Sequence, residues 1–258
     1  MLTSTGDKSA HTATIHIPQM LYFWPYVAFF SAPLLLGPLL RPVLPFLPKR
    51  VQGMCETHIH VSNHGRPTIF TIGLFIACGL LAVHFNTLIH PYTLADNRHY
   101  VFYVFRIIRS YPALKYIAVP VYYVCAWLVI QSLAPPSIGA EGRKGKRDVR
   151  PINDKADRQP RQVSFIIIWL ATTALSVVTA PLVEPRYFIV PWLVWRLNVP
   201  CSPSSSSKDR YTGKAPYSMQ LVMETMWLLA LNAVISYTFL YRTFTWPNEP
   251  GNLQRFIW

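Results

Sequence analysis

Charge is what this 258-residue sequence has least of: Asp and Glu number 11, Lys and Arg 24, and charged residues make up 14% of the chain. An ordinary soluble domain carries roughly 25% charged residues. With 52% hydrophobic residues and a mean hydropathy of +0.25, this chain lacks the polar surface to cover itself in water. The same composition excludes disorder, collagen and coiled coil. Cysteine is scarce too. Cys55, Cys78, Cys125 and Cys201 lie far apart, two of them in apolar stretches, so no disulfide framework can be read. No Asn-x-Ser/Thr sequon occurs to mark sidedness. Residues 1–11 lack the basic start and apolar core of a signal peptide, so insertion is expected to use a transmembrane segment. No nucleophilic Ser with a fixed base, no Walker loop and no dinucleotide fingerprint can be assembled. The net charge of +13 is dispersed through loops and does not imply nucleic acid.

Long apolar runs are what the sequence has instead, together with 23 prolines, a number better tolerated in helices that sit in lipid. A spanning helix needs about 20 mostly apolar residues. Five stretches qualify: 9–40, 67–95, 116–140, 162–183, and 218–241 if one acid, Glu224, is accepted inside. A sixth, 187–195, lies between Arg186 and Arg196 and is about 13 Å long as a helix. It is too short to span alone and is expected to be re-entrant or interfacial. The prolines of 41–48 predict a kinked or broken end to the first stretch. The expected fold is therefore an all-α membrane protein, a multi-pass helical bundle of about five spans plus one short helix.

Alternate loops share a side, and cytoplasmic loops hold the excess of Lys and Arg. The loops 41–66 and 141–162 together hold twelve, against nine for 96–115 and 184–214. The bias rests on the basic run from Arg143 to Arg161, which is placed in the cytosol as a linker over 138–162. It reads as a solvated linker, with contact to anionic lipid the lesser alternative. The segment 198–216 reads as a flexible loop. With this orientation the N-terminal segment, 90–115 and 184–217 emerge on the non-cytosolic face, and the last helix returns the C-terminus to the cytosol.

Charges at membrane depth are costly and so mark function. The densest group is His90-Pro91-Tyr92-Thr93-Leu94-Ala95-Asp96-Asn97-Arg98-His99-Tyr100, which packs an acid, an amide, a guanidinium and imidazoles into one membrane-edge turn. Asp96 can accept hydroxyl hydrogen bonds or a proton, Arg98 can hold a phosphate, and His99 can donate to a leaving oxygen. The plainer alternative is a local Asp96 to Arg98 ion pair. Glu184-Pro185-Arg186 sets an acid and an arginine around a proline at the end of a span, with an outward Arg186 favoured; an interfacial anchor with Tyr187, Trp192 and Trp195 is the alternative. Asp7, Lys8 and His11 form a third, weaker group with too few glycines for a phosphate loop. Cys55, His58, His60 and His64 could ligate zinc, but their spacing fits a variable loop better, and no metal is expected. Glu224 is expected to pair with Asn232 or with a neighbouring helix.

Four blocks then carry a resemblance: GDKSxH over 6–11, HPYTLADNRHYVFYVFR over 90–106, VEPRYFIVPWLVWRL over 183–197 and EPGNLQRFIW over 249–258. Together they resemble the dolichyl-phosphoglucose-dependent alpha-1,2-glucosyltransferase family, whose members finish the lipid-linked oligosaccharide; Ala10 stands where they usually have Asn. The resemblance implies a GT-C-type fold in the endoplasmic reticulum membrane. It also implies dolichyl phosphate glucose as donor, a diglucosylated oligomannose on dolichyl pyrophosphate as acceptor, no cofactor, and inversion of a beta donor to an alpha linkage. A carboxylate would deprotonate the acceptor hydroxyl while cationic groups stabilise the departing phosphate.

Family members are about twice as long, and residues 1–258 resemble their C-terminal half, beyond the first lumenal loop that supplies the catalytic carboxylate in GT-C enzymes. Asp96, Glu184 and His99 are then the candidate catalytic groups. Asp7, Lys8, His11, His90, Asn97, Arg98 and Arg186 are the candidate substrate-binding ones. A non-catalytic membrane interaction or regulatory protein derived from the family is the alternative. A transporter is disfavoured by the lack of inverted repeats.

Overall fold

The computed structural model describes residues 15–40, 46, 48, 49, 67–87, 91–94, 97–133, 153–180, 182–200, 219–246 and 249–257. Among them are eight helices: α1 (Pro18–Phe30), α2 (Ala32–Leu40), α3 (Ile69–Phe85), α4 (Tyr100–Ser110), α5 (Leu114–Gln131), α6 (Asn153–Val178), α7 (Arg186–Asn198) and α8 (Met219–Tyr241). A 3-10 turn covers Pro91–Leu94, and two strands, β1 (Thr243–Trp246) and β2 (Glu249–Arg255), close the chain. Each apolar stretch contains a helix, the form in which a backbone without water satisfies its own polar groups. Residues 114–131 and 220–241 are long and apolar enough to cross a membrane, while 69–85 and 163–178 are apolar but shorter.

The core is a seam of aromatic rings around α1. Phe23, Trp24 and Val27 are buried against Ala126 and Val129 of α5, Trp169 and Val177 of α6, and Phe188 and Trp195 of α7. The ring centroid of Phe23 lies 5.8 Å from those of both Trp169 and Phe188. Indole N–H groups tie the helices together across this seam. Trp169 donates to the Pro191 carbonyl at 3.0 Å, Trp195 to the Val129 carbonyl at 3.0 Å, and Trp192 to the Ser31 hydroxyl at 2.8 Å. In an apolar interior such a donor must find an acceptor or carry its desolvation cost. Beside the seam, Gly79 lets α3 approach α5 so closely that a Cβ there would lie 2.7 Å from Val119 Cγ1.

Several expectations are corrected. A break that the sequence reading did not expect falls at Ser31 in the first apolar stretch, while the expected break over 41–48 lies outside the described residues apart from 46 and 48. Pro33 is the reason: it has no N–H for the Phe29 carbonyl, and the Trp227 indole donates to that carbonyl at 2.9 Å. The basic segment expected to be a linker over 138–162 is helical from Asn153 onward, where Lys155, Ala156, Arg158 and Gln159 are good helix formers; 138–152 lie outside the described residues. Of the expected loop 198–216, Asn198 ends α7 and 201–216 lie outside. The loop 96–115 contains an amphipathic helix, α4, which buries Phe105 against Tyr22.

The fold is also not purely helical. Helix α8 ends at Tyr241, and Gly251 adopts φ +101° within β2. The chain turns into an antiparallel hairpin, Thr243 opposite Arg255 and Phe244 opposite Gln254, with an irregularity at Thr245/Trp246.

The larger correction concerns which end of the bundle the last elements occupy. One end gathers the start of α1 with the ends of α3 and α6: the Val178 carbonyl accepts from the His16 N–H at 2.9 Å, and Asn86 Oδ1 from the Ile17 N–H at 2.7 Å. At the opposite end Gln220, starting α8, donates to the Leu34 carbonyl of α2 at 3.2 Å. Helix α7 begins at the first end and finishes near the second, with Trp195 against the end of α5. It is a short rod about 20 Å long that buries Phe188, Pro191 and Trp195 on one face and leaves Val190 and Leu197 exposed on the other. Helix α8 runs back, so the C-terminal hairpin returns to the end that holds residues 97–103. It does not lie on the opposite side, as expected when α7 was not counted as a traverse.

Candidate functional site

The site is built where α6 hands over to α7. After Val178 the chain leaves the helix, and residues 182–185 run across the first end of the bundle before Pro185, at the N-cap position, starts α7. Proline suits a helix start because its missing N–H has no partner there in any case. Glu184 and Arg186 flank that proline and form a close ion pair through Arg186 Nε and Glu184 Oε2. The hydrogen bond that Arg186 donates to Glu184, and then the charge of Glu184, hold the guanidinium pKa above its ordinary value. The pair is at a surface: the side chains are 71% and 26% exposed, Arg186 the more open. Nε contacts Glu184 and the guanidinium carbon lies 5.7 Å from the centre of the Tyr187 ring; the terminal fork of a guanidinium is the part suited to a phosphate.

A second segment reaches the same place from the other side. His99 occupies the N-cap position of α4 in extended conformation, φ −86° and ψ 136°, without capping the helix through its side chain. With Thr93 and Val101 it lines a cavity of about 700 Å³ whose opposite wall is formed by Leu182, Val183, Glu184, Pro185, Arg186 and Ile189. Tyr26 and Phe30 of α1 supply an aromatic wall, and Asn232 and Ile235 of α8 close the remaining side. The surroundings are mostly apolar, with one cation, one carboxylate, one imidazole and one amide converging. Such a pocket can hold an amphiphile with an anionic head and offers a proton acceptor and a donor to it.

The structure thus brings His99 together with Glu184 and Arg186, which lie 85 and 87 positions further along the chain. Asn97 and Arg98 are neighbours of His99 but do not line the cavity; Asn97 Oδ1 is buried with no hydrogen-bond partner among the described residues. Asp96, Asp7, Lys8, His11 and His90 lie outside the described residues, as do Cys55, His58, His60 and His64. Asn232 was weighed in the sequence only as a partner for Glu224. Its Nδ2 donates to the Leu228 carbonyl of its own helix at 2.9 Å, leaving the side-chain oxygen as the group it can present. A polar residue near the middle of an apolar helix was the available signal. Glu224 pairs with a neighbouring helix, as expected: Arg196 Nε and Nη2 of α7 contact its two carboxylate oxygens at 2.6 Å each.

The described residues form a helical bundle with a mixed-polarity cavity. Residues 3–197 match the DIE2/ALG10 family, and the chain belongs to that family. It is 40% identical over 98% of its length to the Dol-P-Glc:Glc(2)Man(9)GlcNAc(2)-PP-Dol alpha-1,2-glucosyltransferase of Aspergillus fumigatus, covering 52% of that protein. The protein of the same name from Emericella nidulans is 38% identical over 98% of the chain, which covers 51% of it. That from Mus musculus is 32% identical over 98%, with 42% covered. The chain therefore spans about half the length of the curated relatives it matches. No solved structure matches it.

Proposed function

We propose that this chain is the C-terminal half of a glucosyltransferase that moves glucose from dolichyl phosphate glucose to a diglucosylated lipid-linked oligosaccharide. The observation that carries the reading is the convergence of His99, Glu184 and Arg186 on one apolar-walled cavity in a chain of this family. In the reaction the bond from the sugar C1 to the phosphate oxygen breaks, a bond from C1 to the acceptor hydroxyl oxygen forms on the opposite face, and dolichyl phosphate leaves. Arg186 holds the phosphate as its charge grows. Glu184 takes the acceptor proton, with Asp96 the other candidate for that task, and His99 donates a hydrogen bond to the leaving oxygen. Arg98, Asn97, His90 and the group Asp7, Lys8 and His11 are assigned to the substrates' polar parts. No metal or other cofactor is assigned.

The reading places the protein in the endoplasmic reticulum membrane as a multi-pass protein of the GT-C type, with the cavity end lumenal. The corrected course of α7 and α8 supports this orientation. With α7 counted as a traverse, the sequence segments 41–66, 143–161 and 208–214, which hold 15 of the 24 Lys and Arg residues, are assigned to one side and the segments holding eight to the other, with Arg196 between them. That separation is sharper than the twelve to nine of the five-span reading, in the direction that cytosolic loops require.

The test is transfer of labelled glucose from dolichyl phosphate glucose in microsomes lacking their own family member. The chain is supplied alone and beside the N-terminal half of the Aspergillus fumigatus relative. A triglucosylated product that disappears with Arg186→Ala is expected; no product in either setting overturns the reading.

A further inference from the structure

The terminal hairpin has no role in the reaction just described, yet it is built onto the segment that carries His99. The Ile257 N–H donates to the Arg98 carbonyl at 2.9 Å, and Ile257 forms a parallel bridge with His99 itself. One residue earlier, the Phe256 ring stacks on Tyr100 with centroids 5.8 Å apart and planes 20° from parallel. It also meets Tyr103 at 5.9 Å and is backed by Phe244 of β1 at 4.8 Å. The hairpin is itself tied to α8. Arg255 Nη1 donates to the Phe239 carbonyl at 3.3 Å, and its guanidinium lies 5.4 Å from the centre of the Phe239 ring. A continuous set of contacts therefore runs from α8, which bears Asn232, through the hairpin to the backbone on either side of His99.

His99 sits at the N-cap position of α4 in extended conformation, and its side chain does not cap that helix. We propose that Phe256 and Ile257 are positioning residues, which clamp residues 98–100 and so hold His99 against the cavity; this rests on the reading of that cavity as the site of transfer. Phe256 supplies the lateral restraint by stacking, and Ile257 fixes the depth through one backbone hydrogen bond. A clamp of this kind acts on the rate more than on binding, because displacing a group at the reacting centre by about 1 Å costs orders of magnitude in rate.

The test compares Phe256→Ala and Ile257→Pro with the unchanged chain and with Leu253→Ala, a substitution at an exposed position of the same hairpin. Ile257→Pro deletes one N–H and little apolar surface, so it serves even where Phe256→Ala disturbs folding. The first readout, independent of activity, is hydrogen exchange of the peptide covering 97–103. Exchange about tenfold faster in both variants and unchanged in Leu253→Ala is expected. In the transfer assay of the previous section, kcat should fall about tenfold or more with the donor KM within about threefold, and Phe256→Tyr should restore it. Unchanged exchange in both variants overturns the clamp whatever the activity. Faster exchange with unchanged kcat overturns its role in transfer. Faster exchange in a protein whose unchanged form transfers no glucose supports the clamp and overturns the reading of the cavity instead.

Discussion

Helix α7 carries an Arg–Glu pair at each end, and the two have opposite surroundings. Arg196 and Glu224 join α7 to α8 with both contacts at 2.6 Å, the side chains only 17% and 8% exposed. Arg186 and Glu184 are two residues apart on one segment, at the mouth of the cavity, with the guanidinium mostly open. A pair inside an apolar medium sets each charge against a counter-charge, and losing one side leaves the other poorly compensated. A pair at a surface is screened and exchanges partners at little cost. The same two residue types thus act as a fastener between helices at one end and as a transferable cation at the other.

The largest effect separating them is expected at Glu224. Glu224→Ala leaves Arg196 charged and buried and should destabilise the protein by about 3–5 kcal/mol, read as a fall in Tm of the detergent-solubilised chain. The double change Arg196→Met with Glu224→Leu should recover most of it; a double variant no better than the single one would break the comparison. At the other pair the loss should appear in chemistry. Arg186→Ala is expected to lower glucose transfer about a hundredfold, the usual effect of removing one group that stabilises developing charge, with Tm unchanged. Equal losses of Tm at both arginines would show that exposure does not distinguish them.

Smaller effects sharpen the contrast between the interior and the rim. Gly79→Ala pushes a methyl group against Val119, which is fully buried, and should cost about 1–3 kcal/mol. Gly73→Ala on the same helix meets nothing within 4 Å and should gain about 0.5–1 kcal/mol through helix propensity. Opposite signs in a thermal unfolding assay are the expected result. Trp195→Phe removes the bond to the Val129 carbonyl and should cost about 1–2 kcal/mol; no change in Tm would mean that the indole bonds do not hold the seam.

Much of the helical framework was legible in the sequence because runs of apolar residues are a local property. Every stretch chosen for length and lack of charge contains a helix. The break at Ser31 was harder to place, since Pro25 lies within α1 without ending it, and the prolines of 41–48 drew attention further along. The hairpin was missed although EPGNLQRFIW had been singled out, because two prolines and a glycine signal a turn but not what the strands would pair with. In the cavity, Glu184, Arg186 and His99 were recognisable as costly residues at membrane edges. Their meeting in one cavity was not, and Asn232 was read against Glu224 because both lie on the same apolar helix.

Composition and local pattern by themselves determined the membrane class, the helical stretches and the motifs that carry the family, since each depends only on residues close together in the chain. The tertiary structure alone decided that α7 traverses the bundle, that Arg196 rather than Asn232 meets Glu224, and that the chain's last residues return to His99. Those outcomes depend on which distant surfaces fit. An apolar helix has no preferred face in its sequence, so only the packing of rings, the close approach at Gly79 and the need of each buried donor for an acceptor select its neighbours.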